Sequence, residues 1–229
     1  MPPDSRDLVR ARARALAAGA AAAGDATGWF ETLYAEAQAG TSVIPWADGL
    51  PNAHLVRWAD ARPGDLDGDG RRALVVGCGF GYDAEFLAGR GFAVTGFDVA
   101  PTAIAGARRL YPDSAVRYLT ADLLALPAAW AGAFDLVVEA YTLQPLYGPA
   151  RERALAAVSG PVAPGGTLLV ISLATDERNP VRDPAMMPWP LTRAELDLAG
   201  GPLHAHRVER LISQENPVGP HWRAEFWRD

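Results

Sequence analysis

Leu74-Val-Val-Gly77-Cys78-Gly79-Phe80-Gly81-Tyr82-Asp83 is the stretch from which the fold can be read. Residues 73–76 form a short continuous apolar run, as expected of a strand buried on both faces. The run passes into glycines at alternate positions and then into a helical pattern. Such a junction lets a ligand approach the backbone closely and presents free N–H groups at the helix start. Taken alone it is equally a tight strand-to-helix turn, so its surroundings decide its weight. Similar apolar runs recur at 92–97, 116–119, 134–138 and 167–171, with helical patterns at 82–88, 101–110 and 150–158. That alternation implies crossover connections and a parallel sheet.

At the far end the rhythm changes. A helix is expected at 191–198, then strands at 204–213 and 221–227, joined by a loop at 215–220 too short for a crossover helix. Those strands should pair antiparallel. Upstream lie three helices: 4–23, with Asp4 or Ser5 as cap and Gly24 closing it; one carrying Trp29, Phe30, Leu33, Tyr34 and Ala37 on one face before Gly40; and one capped by Asn52. A loop rich in Pro and Gly, residues 41–51, separates the last two. The expectation is one domain over 1–229: a Rossmann-like α/β core from 70 to 229, preceded at 1–62 by a helical lid. The core is a seven-stranded, mostly parallel sheet with helices on both faces and an antiparallel C-terminal strand.

Composition narrows the partners. The 229 residues suit one good-sized core. Net charge is −6 and the pI about 5.2, so no general attraction to nucleic acid is expected. All 21 basic residues are arginine, which excludes lysine Schiff-base chemistry and, with the abundant Ala and Gly, suggests a GC-rich bacterial source. Cys78 is the single cysteine, so no internal disulfide forms. The soft apolar segment 17–23 makes a poor signal sequence and no run approaches a membrane span. The protein is expected to be cytoplasmic, without membrane or nucleic-acid partners.

Asp98 follows the second strand, where a carboxylate can hold both ribose hydroxyls of a nucleotide. A dinucleotide fingerprint needs glycine at its sixth position for close helix packing under the pyrophosphate; here that position is Tyr82. Asp122 ends the third strand, within reach of an adenine amino group. An acid-rich cleft without a pyrophosphate turn suits S-adenosylmethionine (SAM), with its hydroxyls, ammonium and sulfonium, better than NAD.

Gly77-Cys-Gly-Phe-Gly-Tyr-Asp83, Val94-Thr-Gly-Phe-Asp98-Val-Ala-Pro-Thr-Ala-Ile104, Ala121-Asp-Leu123 and Pro164-Gly-Gly-Thr-Leu resemble the successive motifs of class I SAM-dependent methyltransferases. The first of these, with Ile44-Pro-Trp-Ala-Asp-Gly-Leu-Pro51, resembles the branch of thiopurine S-methyltransferase and the halide/thiol methyltransferases. This chain departs from that branch at Val76, where proline is usual, and at Glu139-Ala-Tyr141, where an Asp-Arg or Asp-Tyr pair is usual. The resemblance implies that Gly77, Cys78, Gly79 and Gly81 wrap the methionine part of SAM. It places Asp83 near the amino group or as a helix cap, and Asp98 on the ribose. Val99, Asp122 and Leu123 would surround adenine, and Glu139 and Ala140 would reach the methionyl end. Trp46 would close over the cofactor from the lid. Trp29, on the apolar face of its helix, reads equally as core packing or as part of that lid over the cofactor.

Other signals read more simply. Asp65-Leu-Asp67-Gly-Asp69-Gly70 starts like a calcium loop, but its twelfth position, which needs a bidentate Glu, is Val76. Cys78 reads as a small packing residue, and the histidines show no metal spacing; no metal site is expected. Met186, Met187 and Trp189 follow the fifth strand, where an adaptable apolar loop can line an acceptor pocket or, equally, pack as an ordinary loop. No His–Asp pair is visible, which favours a thiol acceptor, already partly ionised at neutral pH. Glu139 and Tyr141 are the candidates to orient it. The leading expectation is thus S-methylation of a small-molecule thiol. N- or O-methylation of a natural product, a SAM-binding module without catalysis, and a nicotinamide dehydrogenase are the alternatives.

Overall fold

A computed structural model describes residues 5–62, 68–177, 183, 186–212 and 219–229. Asp4, the first half of the Asp65–Gly70 acidic stretch and most of the loop at 215–220 lie outside the described residues.

Period-two burial builds the sheet. In β1 (Arg72–Val76) every residue after Arg72 is buried; Leu74 and Val76 face one side of the sheet, Ala73 and Val75 the other. The strands β2 (Ala93–Asp98), β3 (Arg117–Thr120), β4 (Phe134–Ala140) and β5 (Val162–Leu173) join β1 in parallel. The last two, β6 (His204–Leu211) and β7 (His221–Trp227), pair antiparallel, β7 lying beside β5. The sheet order is β3-β2-β1-β4-β5-β7-β6. β5 starts earlier than its apolar run: Val162 pairs with Phe134, and the register then shifts before Leu136 meets Thr167, across the Pro164-Gly-Gly turn.

On one face pack α3 (Ala53–Asp60), α4 (Tyr82–Ala88) and α5 (Pro101–Leu110), contributing Leu55, Trp58, Leu87 and Ile104. On the other pack α6 (Gly148–Ala157) and α7 (Arg193–Gly200), contributing Leu155 and Leu196. Local chemistry marks the ends. The Asn52 side chain accepts from the backbone N–H groups of His54 and Leu55, and Thr192 with Glu195 forms a capping box on α7. The remaining helices, α1 (Ser5–Ala22) and α2 (Gly28–Gln38), share a third cluster. In it Ala13, Ala17 and Leu33 meet Ala103 of α5 and Met187. No described helix is long and apolar enough to cross a membrane.

One buried cation organises the carboxyl edge of the sheet. Arg151 of α6 donates to Glu195 at 2.7 Å and to the carbonyls of Leu143, Gln144, Trp189 and Pro190 at 3.3–3.4 Å. It thereby ties the segment after β4 to the segment before α7. Arg151→Leu removes the guanidinium that these carbonyls and Glu195 share. It should lower the unfolding free energy by about 3–5 kcal/mol, read as a fall in the urea midpoint; an unchanged midpoint would show that the clamp contributes nothing.

Candidate functional site

The glycine turn is shaped by what lies against it. Gly77 and Gly79 have φ of 60° and 53°, in the left-handed region that glycine tolerates best. A Cβ on Gly77 would stand 2.3 Å from Thr142 Oγ1, and one on Gly79 would stand 2.8 Å from the Tyr34 hydroxyl. Cys78 N–H donates to the Phe97 carbonyl at 2.8 Å, locking the turn to β2. At the end of β2, Asp98 accepts from Gly79 N–H at 3.0 Å and from Ala100 N–H at 2.9 Å. Burial outweighs those hydrogen bonds and pushes its carboxyl up to about 6.

Asp83, in the first turn of α4, accepts from Asn52 N–H at 2.6 Å and is also pushed up to about 6 by burial. It therefore clips the N-terminal segment to the glycine turn rather than capping α4, whose N-cap is Gly81. Asp122 accepts from Leu124 N–H at 2.8 Å and starts a short 3-10 turn at Leu123–Ala125. Cys78 is pushed far up by burial, so it is a neutral thiol.

Above these residues lies a cavity of about 820 Å³. Its walls include Trp46, Gly77, Cys78, Gly79, Asp83, Asp98, Val99, Asp122, Leu123, Ala140 and Tyr141. Three residues expected at the cofactor are not on the wall. Gly81 is taken up in starting α4, against the Tyr118 hydroxyl. Trp29 is buried in the N-terminal cluster, stacked on Phe30 at 3.9 Å with Trp46 edge-on at 6.3 Å. Glu139 is fully buried; its Oε1 accepts from Thr142 N–H at 2.7 Å and Leu143 N–H at 2.9 Å. Burial pushes Glu139 up to about 7. It holds the turn after β4, where Tyr141 sits at φ 64°.

The loop after β5 is divided between cavity lining and plain packing. Met187 lines the cavity, whereas Trp189 is buried away from it and donates to the Asp183 carbonyl at 2.8 Å. Met186 is exposed. His204 and His206 are exposed on β6. Among the described residues no group of three or more His, Cys, Asp or Glu side chains is placed to hold a metal ion.

Several wall residues carry no sequence signal of their own. Tyr34 of α2 accepts from Trp46 Nε1 at 3.2 Å and abuts Gly79; its place on an apolar helix face was legible, its contact with the turn was not. Arg10 and Arg14 reach the cavity from α1, and His54 and His221 from opposite ends of the chain. Two imidazoles thus stand on the cavity wall, although no His–Asp pair is visible in the sequence.

Comparison with known proteins gives the arrangement its context. Residues 74–170 match the model of a family described as a methyltransferase domain. Over 87% of this chain the fold superposes on 92% of a solved structure. That structure comes from work on conversion of a disulfide bond into a thioacetal group during echinomycin biosynthesis (TM-score 0.68, 22% identity). The chain has the Rossmann-like methyltransferase fold. Two curated proteins are similar in sequence to this methyltransferase-fold chain. A ubiquinone biosynthesis O-methyltransferase of Pseudomonas aeruginosa (strain LESB58) is 36% identical over 133 residues, 56% of this chain and 53% of that protein. A probable thiol methyltransferase 2 of Arabidopsis thaliana is 28% identical over 193 residues, 77% of this chain and 74% of that protein. The chain thus spans about half the length of the first relative.

The buried acid at the glycine turn makes stability depend on pH. An acid whose pKa is higher folded than unfolded binds more protons in the folded state between the two values. Its contribution to stability therefore falls as pH rises from about 4 to about 6. Asp98→Asn removes that term, so relative to wild type the variant should gain up to about 3 kcal/mol over this window, on top of a pH-independent offset from the lost carboxylate bonds. Parallel urea midpoints for the two proteins from pH 4 to 7 would place the Asp98 pKa at its ordinary value.

Proposed function

We propose that this chain transfers a methyl group from SAM to a small-molecule acceptor, and that the acceptor is a thiol. The observation that carries the reading is the Asp98 carboxylate on the wall of the cavity above the glycine turn. A carboxylate offers about four lone-pair sites; the backbone N–H groups of Gly79, Ala100 and Val99 use part of that capacity, and the remainder is open to ribose hydroxyls. Leu123 and Val99 supply an apolar slot for adenine, with Asp122 beside it. The cavity size lies in the usual range for a small-molecule site.

When bound, SAM supplies an electrophilic methyl on a sulfonium. The chain's part is to orient the reactants and exclude water. Ala140, the last residue of β4, and Tyr141 after it line the same cavity as Met187, Arg14 and the two histidines. That wider lining favours an enzyme over a binding module, since a module needs no second compartment. Helices α1 and α2, with Trp46, act as the lid. The thiol assignment draws support from the long, though distant, similarity to the probable thiol methyltransferase. O-methylation is the second reading, favoured by the imidazole pair and by the ubiquinone-pathway relative.

Calorimetry with SAM, its demethylated product S-adenosylhomocysteine (SAH) and NAD tests the cofactor. SAM and SAH should bind, NAD should not, and Asp98→Ala should weaken SAH by about 1.5–3 kcal/mol, the range for charge-assisted hydrogen bonds. Methyl-labelled SAM incubated with thiols, phenols and amines then reads the acceptor. Label in thiols supports S-methylation; label in phenols or amines alone overturns it; tight SAM binding with no transfer to any of them turns the reading to a binding module.

A further inference from the structure

His54 and His221 lie 167 residues apart in the chain, yet their ring centroids are 4.8 Å apart at an interplanar angle of 37°. His54 is in the first turn of α3, where the Asn52 cap receives its backbone N–H. His221 opens β7 opposite Leu173, the last residue of β5. The two side chains are 6% and 1% exposed, both residues line the cavity, and Nδ1 of each has no hydrogen-bond partner. Tyr141 lies 5.8 Å from His221, ring to ring.

Two desolvated, unpaired ring nitrogens at one spot are unfavourable unless a donor from outside the chain completes them. Their surroundings keep the rings neutral. Arg57 follows one turn along α3, and Arg223 of β7, held by Glu209, donates to the His54 carbonyl. Burial first, then His221, Arg223 and Arg57, bring His54 down to about 4; burial also lowers His221. Of the neighbouring acids, Asp83 is engaged by Asn52 N–H, and Tyr141, a neutral phenol pushed up to about 12 by burial, hydrogen-bonds the Asn52 side chain. In His221 the other nitrogen bonds the Gly219 backbone, which assigns the lone pair to Nδ1.

Position within the sheet gives the pair its role. The nucleoside wall is at β2 and β3, the transferable methyl is expected near Ala140 at the end of β4, and the imidazoles lie beyond β5. His221 is two strands past β4 in the sheet order, and its ring reaches back to 5.8 Å from that of Tyr141, the residue after Ala140. We propose that His54 and His221 form the proton-accepting site for the methyl acceptor, and that the acceptor therefore carries an S–H or O–H group. This rests on the methyltransferase reading above. In the step, a lone pair on the acceptor's sulfur or oxygen forms the bond to the methyl carbon. The methyl–sulfonium bond breaks, its electron pair staying on the donor sulfur. The acceptor's proton, made acidic as its atom loses electron density, passes to Nδ1. The resulting imidazolium, crowded by a second imidazole and two arginines, returns the proton to solvent.

The test uses the whole protein with SAH, and two probe pairs: 2-mercaptoethanol with 4-nitrothiophenol, and phenol with 4-nitrophenol. The nitro probe of each pair is the more ionised near neutral pH and has less need of a base. His221→Gln and His54→Gln should slow transfer to 2-mercaptoethanol or phenol by about 10²-fold or more, spare the nitro probe of the same pair by comparison, and leave SAH affinity within twofold. An equal loss on both members of a pair would mean the histidines only hold the fold, and would overturn the proposal. The second readout needs no turnover: in the SAH complex of ¹⁵N-histidine-labelled protein, both Nδ1 resonances should move when phenol or thiophenol is added. Resonances that stay fixed overturn the proposal even if no probe is methylated. Failure of SAH to bind sinks the methyltransferase reading and this inference with it; SAH binding with fixed resonances sinks this inference alone.

Discussion

The hydrogen bond from Gly79 N–H to the Asp98 carboxylate is the constraint on which the site depends. It joins the turn after β1 to the end of β2, and it forms only because backbone without a side chain stands at the crossing. Tyr34 presses on the turn from α2 and Thr142 presses from the segment after β4. Four separate parts of the chain therefore meet at one turn. An uncompensated buried carboxylate would be costly in such a place; here its backbone donors offset part of that cost, and the rest appears as a raised pKa. A fold that keeps this acid buried without a cation is suited to a ligand that brings hydroxyl donors with it.

A second tier of buried charge shapes the other half of the cavity without touching its contents. Glu139 holds the N–H groups of Thr142 and Leu143, and the adjoining carbonyls of Leu143 and Gln144 are held by Arg151. Acid and base thus grip the same short segment from donor and acceptor sides. Gln144, in turn, accepts from Leu173 N–H at 2.8 Å through its side chain, which links that segment to the end of β5 beside His221. This succession of polar contacts gives Tyr141 its left-handed conformation and sets the distance between the nucleoside wall and the histidine wall.

Much of this was legible in the sequence wherever the signal was local. Continuous apolar runs placed the five parallel strands, because a strand covered on both faces has no polar side to show. Asn52 and the glycines after α1 and α2 marked helix ends for reasons confined to a few residues. The wall residues Asp98, Val99, Asp122 and Leu123 follow strand ends, where the topology of such sheets puts a ligand. What escaped was non-local or depended on side-chain direction. Glu139 and Ala140 are neighbours, but alternation along β4 sends only the second to the cavity. Trp29 and Tyr34 share an apolar helix face, and only packing against Ala100, Ala103 and the glycine turn decides which reaches the ligand space. His54 and His221 have no common motif; β7 must first dock against β5 before they can meet.

The central claim is that one cavity carries a nucleoside at the Asp98 end and a reactive methyl facing the histidine wall. A crystal structure of the complex with SAH addresses it most directly. The ribose hydroxyls should lie within hydrogen-bonding distance of Asp98, adenine beside Leu123, and the sulfur beyond Ala140 on the side of Tyr141. A nucleoside bound elsewhere, or bound with its sulfur turned away from Tyr141 and His221, would contradict the account.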